Sequence, residues 1–245
     1  MFRCEWSDTI SLRELINGVS DLVDTASFYV DEKKFRMETA DPSVICKIEV
    51  DAGKEIFSSY KVDSKEEFYL DMNLMKKIGR RLRANDKISV NLEKEYLEFT
   101  IHNFIDRYFR IPLLEFIEPM PQIKIDPDVF LRIRSDVFRS LIEDIAVIGG
   151  SLIIQARPDE IIFFSEEDGV KTSITISETN SAIDKFSAKT ECISKFNLSY
   201  IQSFLKTTKL VEYINISFGK KDTPLKLEYL YKNSSLRFYL APMEI

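Results

Sequence analysis

The sequence has few of the residues on which most active sites depend. Its 245 residues include one histidine (His102), three cysteines and seven glycines. A single histidine cannot build a zinc site, and Cys4, Cys46 and Cys192 lack metal-binding spacing. No glycine-rich phosphate loop of the GxGxxG or GxxxxGK[ST] type is present. The sequence therefore predicts no metal and no cofactor, and it gives no support to nucleophilic or acid–base catalysis.

Long apolar runs and paired cysteines are also missing. No run of 18 apolar residues occurs, so we expect no membrane-spanning helix. Few cysteines, odd in number, fit a reducing compartment and argue against a disulfide framework. Hydrophobic residues make up 44% of the chain, which is enough for a buried core. The net charge of −6 favours solubility and, taken alone, disfavours nonspecific binding to nucleic acid.

What the sequence does contain is a two-fold internal repeat. Apolar positions match at an offset of 126, as Leu15 with Leu141 and Ile88 with Ile214. The match holds over roughly 80 residues before it drifts to an offset of 128. Two copies of one module therefore follow each other. We expect a first module at residues 1–114, a connector at 115–125 and a second module at 126–245.

Each half reads as a strand, a helix, several strands, a second helix and further strands. Apolar periodicity predicts helices near 9–22, 72–83, 135–148 and 198–208. Their expected N-caps are Ser7 or Asp8, Asp71, Ser135 or Asp136, and Asn197. Strands are predicted near 2–6, 26–30, 34–39, 44–50, 87–92, 96–101, 107–112, 151–156, 160–165, 170–177, 186–193, 211–218, 224–230 and 235–241. Helices gathered on one face of antiparallel sheets predict an α+β fold in each module.

The predicted connector combines prolines with apolar residues. Pro119 and Pro121 block a helix and weaken any central strand. Phe116, Ile117 and Met120 are unusual in a plain tether. Two interpretations stay open, since these side chains could pack on a sheet or line a docking groove for a partner.

Positive charge is concentrated on the second predicted helix. Five of the eight residues from Lys76 to Arg83 are cationic, although the whole chain is acidic. At about 100° per residue the apolar residues gather on one side and most of the cations on the other. A solvated helix face is one interpretation. The recurrence of cations on the matching helix of the second half favours the other, a surface that contacts phosphates without reading bases.

A run of carboxylates, Glu166-Glu167-Asp168, precedes Gly169. The Asp-Gly pair predicts a turn between two strands. The alternative is a magnesium site, which would make the protein a metal-dependent nuclease that processes nucleic acid. Adjacent carboxylates in a turn disfavour this alternative, because such sites gather ligands from several elements.

Several segments together resemble one family. They are Leu236–Pro242 at the C-terminus, Tyr213–Gly219 followed by Thr223–Tyr229, the turn Ala40–Val44, and Asn73–Arg80. In order and spacing they resemble the sliding clamps of the proliferating-cell-nuclear-antigen type found in archaea and eukaryotes. The resemblance covers essentially the whole chain.

The resemblance implies a DNA-clamp fold in which three subunits, identical or related, close head to tail into a pseudo-six-fold ring. Such a ring encircles duplex DNA without sequence preference and has no catalytic activity or cofactor. It acts as a processivity factor that tethers DNA polymerase. Clamp loader, ligase and flap nuclease would bind through short peptide motifs. The location implied is the cytoplasm, at the nucleoid, for an archaeal protein and the nucleus for a eukaryotic one.

The resemblance also assigns residues to three sites. The DNA-facing cations are Arg13, Lys77, Arg80 and Lys206, to which helical geometry adds Lys76, Arg81, Arg83, Arg139 and Lys209. The peptide pocket comprises Ala40, Met120, Pro121, Pro224, Tyr239, Ala241 and Pro242. The subunit interface joins Arg107, Tyr108, Phe109, Arg110 and Ile111 to Val170, Lys171, Thr172, Ser173 and Ile174 of a neighbour. Ser140 and Glu143 depart from the family pattern, which often has more cations on that helix.

Overall fold

The structure is a computed structural model that describes residues 1–6, 8–116, 118, 120, 122–207, 211–220 and 222–245. It divides into two compact units. The first contains Met1–Pro121, Lys206–Thr208 and Tyr231–Leu236, and the second contains Gln122–Leu205, Lys209–Leu230 and Arg237–Ile245. No helix within the described ranges is long and apolar enough to cross a membrane.

The first half of the chain alternates helices with antiparallel strands. Its elements are β1 (Phe2–Trp6), α1 (Thr9–Ser20), β2 (Thr25–Val30), β3 (Lys34–Ala40), β4 (Cys46–Gly53), β5 (Ser59–Val62), β6 (Glu66–Asp71), α2 (Met72–Gly79), β7 (Lys87–Leu92), β8 (Tyr96–His102) and β9 (Arg107–Pro112), with a short 3₁₀ turn at Lys54–Ile56. One sheet has the order β5-β1-β7-β8-β9, and β4-β3-β2-β6 are consecutive in another.

The second half repeats this arrangement. Its elements are β10 (Val129–Arg134), α3 (Ser135–Ile145), β11 (Ser151–Ala156), β12 (Glu160–Glu167), β13 (Val170–Ser177), β14 (Ile183–Ala188), β15 (Cys192–Asn197), α4 (Leu198–Leu205), β16 (Tyr213–Phe218), β17 (Leu225–Tyr231) and β18 (Ser234–Leu240). The strand order β14-β10-β16-β17-β18 corresponds to the five-stranded sheet of the first half, and β13-β12-β11-β15 corresponds to β4-β3-β2-β6.

The element boundaries confirm the two-fold repeat. An offset of 126 carries α2 onto α4, β2 onto β11, β6 onto β15 and β7 onto β16, with both ends of each element in register. The α+β fold predicted for each module, with antiparallel sheets and helices, is therefore confirmed.

Each unit has an aromatic core of its own. In the first, the Phe28 and Phe68 rings stack at 5.2 Å, and Phe2 lies 6.2 Å from Phe68. Helices α1 and α2 pack closely, since a Cβ added at Gly79 would lie 2.8 Å from Ile16. In the second unit, Phe204 stacks on Phe238 at 4.8 Å. Burial of large aromatic side chains dominates the stability of such cores.

The helix caps agree with the sequence in most positions. The Asp8 carboxylate accepts from the Ser11 amide at 3.1 Å. Asp71 accepts from the Asn73 and Leu74 amides at 2.7 and 3.2 Å. Asn197 accepts from the Ser199 amide at 3.0 Å. Ser7 lies outside the described residues.

The cap predicted for α3 was wrong. Arg134 occupies the N-cap without a side-chain cap bond, and Ser135 is already the first helical residue. Asp136 instead holds the Arg134 guanidinium, with 2.6 Å between Oδ2 and Nη2.

Other element predictions were also wrong. Helix α2 ends at Gly79 rather than at residue 83, and the other helices are also shorter than predicted. Strands β5, β6 and β10 had not been predicted. The single strand predicted at 186–193 is divided between β14 and β15. The chain leaves α2 because Arg81 and Leu82 donate to carbonyls only three residues back, at 2.8 and 3.1 Å, which is a tighter turn than an α-helix makes.

Candidate nucleic-acid interface and edge strands

Helix α2 carries the clearest free cations of the predicted DNA-binding set. Met75 and Ile78 are buried against the first unit, which turns Lys77 and Arg80 to solvent. Among the described residues, neither Lys77 nor Arg80 has a side-chain hydrogen bond or an ion pair. Asp71 at the N-cap fixes the residue at which the helix begins, and so it fixes which side chains face the solvent. These two charges are available to a phosphate backbone.

Two other predicted lysines share one carboxylate. Lys76 Nζ lies 2.7 Å from Asp21 Oδ1, and its side chain is only 25% exposed. Lys206 belongs to the first unit. Its Nζ lies 3.6 Å from Asp21 Oδ2, and its side chain is 62% exposed. Asp21 therefore neutralises part of the positive charge that the sequence pattern predicts to contact DNA. Lys76 is the weaker candidate of the two because it is both paired and mostly covered.

Each first helix contributes one arginine, and the two differ in their surroundings. Arg13 on α1 is half-buried, and no described residue forms a hydrogen bond or ion pair with its side chain. Arg139 on α3 donates from Nη1 to the Leu205 carbonyl at 2.5 Å, at the end of α4. A cation at a helix C-terminus satisfies an orphan carbonyl and the helix dipole. Arg139 thus has a structural role in the second unit. Lys209 lies outside the described residues.

Four arginines surround an open cleft beside β9. Arg80, Arg81, Arg83 and Arg107 line it together with Phe109. We call this group the arginine cleft. Arg107 donates to the Arg81 carbonyl at 3.2 Å, which joins β9 to the turn after α2. The sequence pattern placed Arg81 and Arg83 on a helix, whereas both follow its end and approach the edge of the sheet.

Asp86 is a buried residue that connects the turn after α2, the loop between β8 and β9, and the start of β9. Its side chain is 0% exposed and accepts from the Arg83 amide at 2.8 Å, Asn103 Nδ2 at 2.6 Å and Arg107 Nη2 at 2.9 Å. Burial by itself would raise the pKa of the Asp86 carboxyl. The bonds from Asn103 and Arg83 and the Arg107 charge outweigh burial, so the pKa lies below its usual range. Sequence reasoning did not single out Asp86.

The two predicted interface strands lie at sheet edges. Strand β9 pairs only with β8, and β13 pairs only with β12, among the described strands. Tyr108 and Arg110 point outward from β9, where Arg110 stacks over the Tyr96 ring at 4.9 Å. Lys171 on β13 lies 4.7 Å from the Phe164 ring. Unpaired edges of this kind offer backbone groups to another chain.

Some residues predicted for the peptide pocket belong to the first unit and others to the second. In the first, Ala40 and Met120 are half-buried. In the second, Tyr239 is buried, and Pro224, Ala241 and Pro242 are half-buried. The tail there is fixed by a bond from the Met243 amide to the Lys195 carbonyl at 2.8 Å. Pro121, with Ile117 and Pro119 of the predicted connector, lies outside the described residues.

The turn that follows Ala40 exposes two apolar residues that sequence reasoning missed. Asp41 is buried and accepts from the Cys46 amide at 2.6 Å. Val44 has φ +54°, which is rare for a β-branched residue, and it is 60% exposed beside Ile45 at 40%. A strained apolar residue on a rigid turn is a common feature of binding surfaces.

The carboxylate run forms the hairpin turn that its sequence predicted. Asp168 and Gly169 have φ of +51° and +78°, as the two-residue turn between β12 and β13 requires. Glu166 lies 3.7 Å from Lys171, and Glu167 accepts from the Gly150 amide at 3.3 Å. The described part of the chain holds no group of three potential metal ligands.

The single histidine belongs to a surface hydrogen-bond chain. His102 Nε2 lies 2.8 Å from Ser89 Oγ, and Nδ1 lies 3.1 Å from Asp106 Oδ1. The three residue types are those of a catalytic triad, but His102 and Asp106 lie on the open surface of the sheet at 37% and 44% exposure. We assign these bonds to holding the loop between β8 and β9.

The doubled α+β module, repeated in element order and register, defines the DNA-clamp fold. A structure of the proliferating cell nuclear antigen from Thermococcus kodakaraensis superposes with a TM-score of 0.91, at 21% identity over 99% of this chain and 100% of that one. A PCNA2–PCNA3 complex from Sulfolobus tokodaii gives 0.89, at 20% identity and 98% of both chains.

Family models assign both halves. The model of the proliferating cell nuclear antigen C-terminal domain matches residues 122–244, and that of the N-terminal domain matches residues 1–107. The chain belongs to the proliferating cell nuclear antigen family. A DNA polymerase sliding clamp of Pyrococcus furiosus is 28% identical over 234 residues, 94% of this chain and 93% of that protein. One of Methanococcus maripaludis is 28% identical over 251 residues, 99% and 98% of the two chains.

Proposed function

We propose that this chain is a subunit of a sliding clamp, which encircles duplex DNA as a ring and acts as a processivity factor for DNA polymerase. The observation that carries the proposal is that both halves of the chain match the clamp family, each with the same pair of helices and the same strand order. Its relatives in Pyrococcus and Methanococcus carry the name of DNA polymerase sliding clamps.

Contact with DNA is electrostatic and loose in this proposal. Lys77 and Arg80 supply unpaired charges on α2, and Lys206 supplies one that Asp21 partly neutralises. The remaining members of the predicted set are Arg13, Lys76, Arg81, Arg83, Arg139 and Lys209. Long cationic side chains contact phosphates without reading bases, so the ring slides. The net charge of −6 keeps the rest of the surface from binding DNA nonspecifically.

The ring closes through β9 of one subunit and β13 of the next. Both strands have an unpaired edge within the described chain, and head-to-tail contacts that close make rings. Three subunits close it, either copies of this chain or this chain with related ones. The PCNA2–PCNA3 complex of Sulfolobus tokodaii is a precedent for the second arrangement.

The clamp has no catalytic activity of its own and serves as a platform for other proteins. DNA polymerase, clamp loader, ligase and flap nuclease bind through short peptide motifs at the predicted pocket residues, to which we add Val44 and Ile45. An archaeal clamp of this kind works at the nucleoid in the cytoplasm, and a eukaryotic one in the nucleus.

Topological retention on DNA tests the proposal. The protein is incubated in excess with nicked circular DNA or with the same DNA linearised, and each is passed through a gel-filtration column at moderate salt. We expect protein to stay with the circle, to be absent from the linear duplex, and to be released when the loaded circle is cut. Equal retention on both, or magnesium-dependent degradation of the DNA, contradicts the proposal.

A charge-reversal variant then tests whether Lys77 and Arg80 contact DNA. Lys77→Glu/Arg80→Glu should reduce retention on circles, because it puts negative charge where phosphates pass. Lys33→Glu/Lys94→Glu is the matched control, since it makes the same change in charge at two exposed turns away from the helices. Equal losses in the two variants would remove Lys77 and Arg80 from the DNA-binding set.

A further inference from the structure

The sheet β13-β12-β11-β15 carries apolar side chains on its outer face as well as on its inner one. The inner face packs on a helix, where the Phe163 ring lies 6.1 Å from Phe138 of α3. The face of an antiparallel sheet that contacts water normally carries polar side chains. Here four neighbouring outward positions hold apolar residues, namely Ile153, Ile162, Phe164 and Ile193. We call these four residues the outer apolar patch.

Strand pairing makes the outer apolar patch continuous. Ile153 on β11 lies opposite Phe164 on β12, and Gln155 on β11 lies between Ile162 on β12 and Ile193 on β15. Ile193 is 42% exposed, and the other three apolar residues are half-buried against one another. Single apolar residues scattered over a surface need no explanation, but a continuous group indicates a contact.

The internal repeat supplies a comparison for these positions. An offset of 126 carries the patch onto the sheet β4-β3-β2-β6, where the matching residues are Ser27, Arg36, Glu38 and Glu67. The strand pairing is the same, since Ser27 lies opposite Glu38. Arg36 there lies 3.0 Å from Glu38 and 3.1 Å from Asp51. The fold therefore does not require an apolar outer face, and the patch indicates a contact that the isolated chain does not make.

The size of this face indicates what covers it. Strands lie about 4.8 Å apart and rise about 3.4 Å per residue, so four strands of this length give a face of roughly 300–400 Å². A stable interface between two folded proteins buries about 800 Å² of each. The face is therefore too small to hold a second copy of this chain by itself. A helix of about 12 residues is roughly 18 Å long, which is close to the width of four strands.

The charges beside the outer apolar patch indicate the polarity of its partner. Lys195 on β15 lies opposite Ile153, and no described residue forms an ion pair with its side chain. Lys171 lies 4.7 Å from the Phe164 ring and 3.7 Å from Glu166. At the other end Arg157 is neutralised by two carboxylates, at 2.7 and 3.2 Å. The charge that remains without a partner is thus positive, and it is complementary to a carboxylate.

We propose that the outer apolar patch docks an acidic amphipathic helix of a partner protein, about 12 residues long. The apolar side of the helix covers the four patch residues, in the way that helices cover sheet faces within folded domains. A carboxylate beside that apolar side pairs with Lys195. The patch shares no residue with the predicted peptide pocket, and the inference depends neither on ring closure nor on contact with DNA.

Fluorescence anisotropy with a synthetic helix tests this docking. The probe is a fluorescein-labelled peptide of about 12 residues, held helical by a hydrocarbon staple, with leucines at i, i+3, i+4 and i+7 and glutamates beside them. We expect saturable binding to the full chain. Ile162→Arg/Phe164→Glu introduces the residues of the first module without changing the net charge, and it should weaken binding roughly 10-fold or more. Ile193→Glu, at the more exposed edge of the patch, should weaken binding in the same direction.

A second peptide, with lysines in place of the glutamates, tests the charge. It should bind the wild type more weakly than the acidic peptide does, roughly 10-fold. Lys195→Glu should reverse this order, because the charge beside the patch is then negative. Pro242→Asp is the control for the predicted peptide pocket and should leave binding of the acidic peptide unchanged. Urea denaturation checks that each variant is folded.

Four outcomes would overturn the inference. They are no saturable binding of the acidic peptide up to about 500 µM, equal binding by the wild type and by folded patch variants, no preference for the acidic peptide, and loss of binding in Pro242→Asp, which would place the helix in the peptide pocket. Sedimentation velocity adds a fifth, since self-association that Ile162→Arg/Phe164→Glu abolishes would show that a second copy covers the patch. All of these measurements are made without DNA, so failed retention on nicked circles would count against the clamp function alone.

Discussion

Replacing Asp86 by asparagine should destabilise the first unit substantially. The carboxylate accepts three hydrogen bonds, from the Arg83 amide, Asn103 Nδ2 and Arg107 Nη2, and it has no solvent exposure. Asparagine keeps one acceptor oxygen but turns an NH₂ group toward a donor. It also leaves the Arg107 guanidinium without a counter-charge.

The magnitude follows from these contacts. Each hydrogen bond to a charged group contributes about 1.5–3 kcal/mol, and breaking one partner of a buried ion pair costs about 3–5 kcal/mol. Arg107 is 31% exposed, so water screens part of its lost pairing. We therefore expect a loss of about 3 kcal/mol in the free energy of unfolding.

Urea denaturation followed by tryptophan fluorescence measures this loss. Trp6, the only tryptophan, lies in β1 of the first unit, 4.8 Å from the Phe57 ring. The measurement is repeated at several protein concentrations because assembly adds to apparent stability. Asp63→Asn is the control, since Asp63 is 69% exposed and lies 3.6 Å from the N-terminal amine. It should change stability by less than about 0.5 kcal/mol. A loss below about 1 kcal/mol for Asp86→Asn would refute the reasoning.

The same substitution has a pH signature. The pKa of Asp86 is lowered in the folded chain, so its contribution is fully present above the unfolded pKa of about 3.9. The contribution is lost as pH falls through the folded pKa. The stability difference between the wild type and Asp86→Asn should therefore be constant near neutrality and shrink in acid. A difference that does not depend on pH down to acid unfolding would contradict this account.

Three further outcomes are expected. Asp21→Asn releases Lys76 and Lys206 from their shared carboxylate. The slope of log affinity for duplex DNA against log salt concentration, measured by fluorescence anisotropy, should therefore steepen by about 1 to 2. An unchanged slope would contradict the assignment of these lysines to DNA contact. Burial raises the pKa of the Cys46 thiol to about 12. Iodoacetamide at pH 8 should therefore label Cys46 far more slowly in the native chain than in urea. Equal labelling rates, measured by mass spectrometry, would contradict the burial of this thiol. Gly169→Ala should cost about 1 kcal/mol in urea denaturation because φ is +78°, and no loss would argue against the turn geometry.

The repeat allowed most of the fold to be predicted from the sequence. Matching apolar positions placed the helices and most of the strands, because both modules need the same buried faces. The missed strand β10 could have been predicted in the same way. Val129, Leu131 and Ile133 alternate inward as a strand should, and an offset of 126 carries β1 onto this segment.

The ends of the helices were less predictable because distant residues decide them. Leu82 is buried and extends the apolar pattern of α2 beyond Gly79. The chain nevertheless turns, and Asp86 then binds the Arg83 amide. A local pattern of apolar residues cannot show that a carboxylate three residues further on competes for the backbone.

The charges of the site were predictable, but their partners were not. The run from Lys76 to Arg83 indicated a cationic surface, and exposed Lys77 and Arg80 are consistent with it. Asp21 lies 55 residues before Lys76, and the Leu205 carbonyl lies 66 residues after Arg139. Only the fold brings these pairs together. The cations that stay free are therefore those whose neighbours in space, not in sequence, lack carboxylates.

Asp86 also bears on assembly, because it holds Arg107 at the start of β9, the strand that closes the proposed ring. It anchors Arg107 and Arg83 at the arginine cleft and Asn103 in the loop between β8 and β9. If β9 closes the ring as proposed, Asp86→Asn should weaken both folding and self-association. A variant of Asp86 that folds less stably yet assembles with unchanged affinity would show that β9 does not need this buried support, and it would separate the two roles.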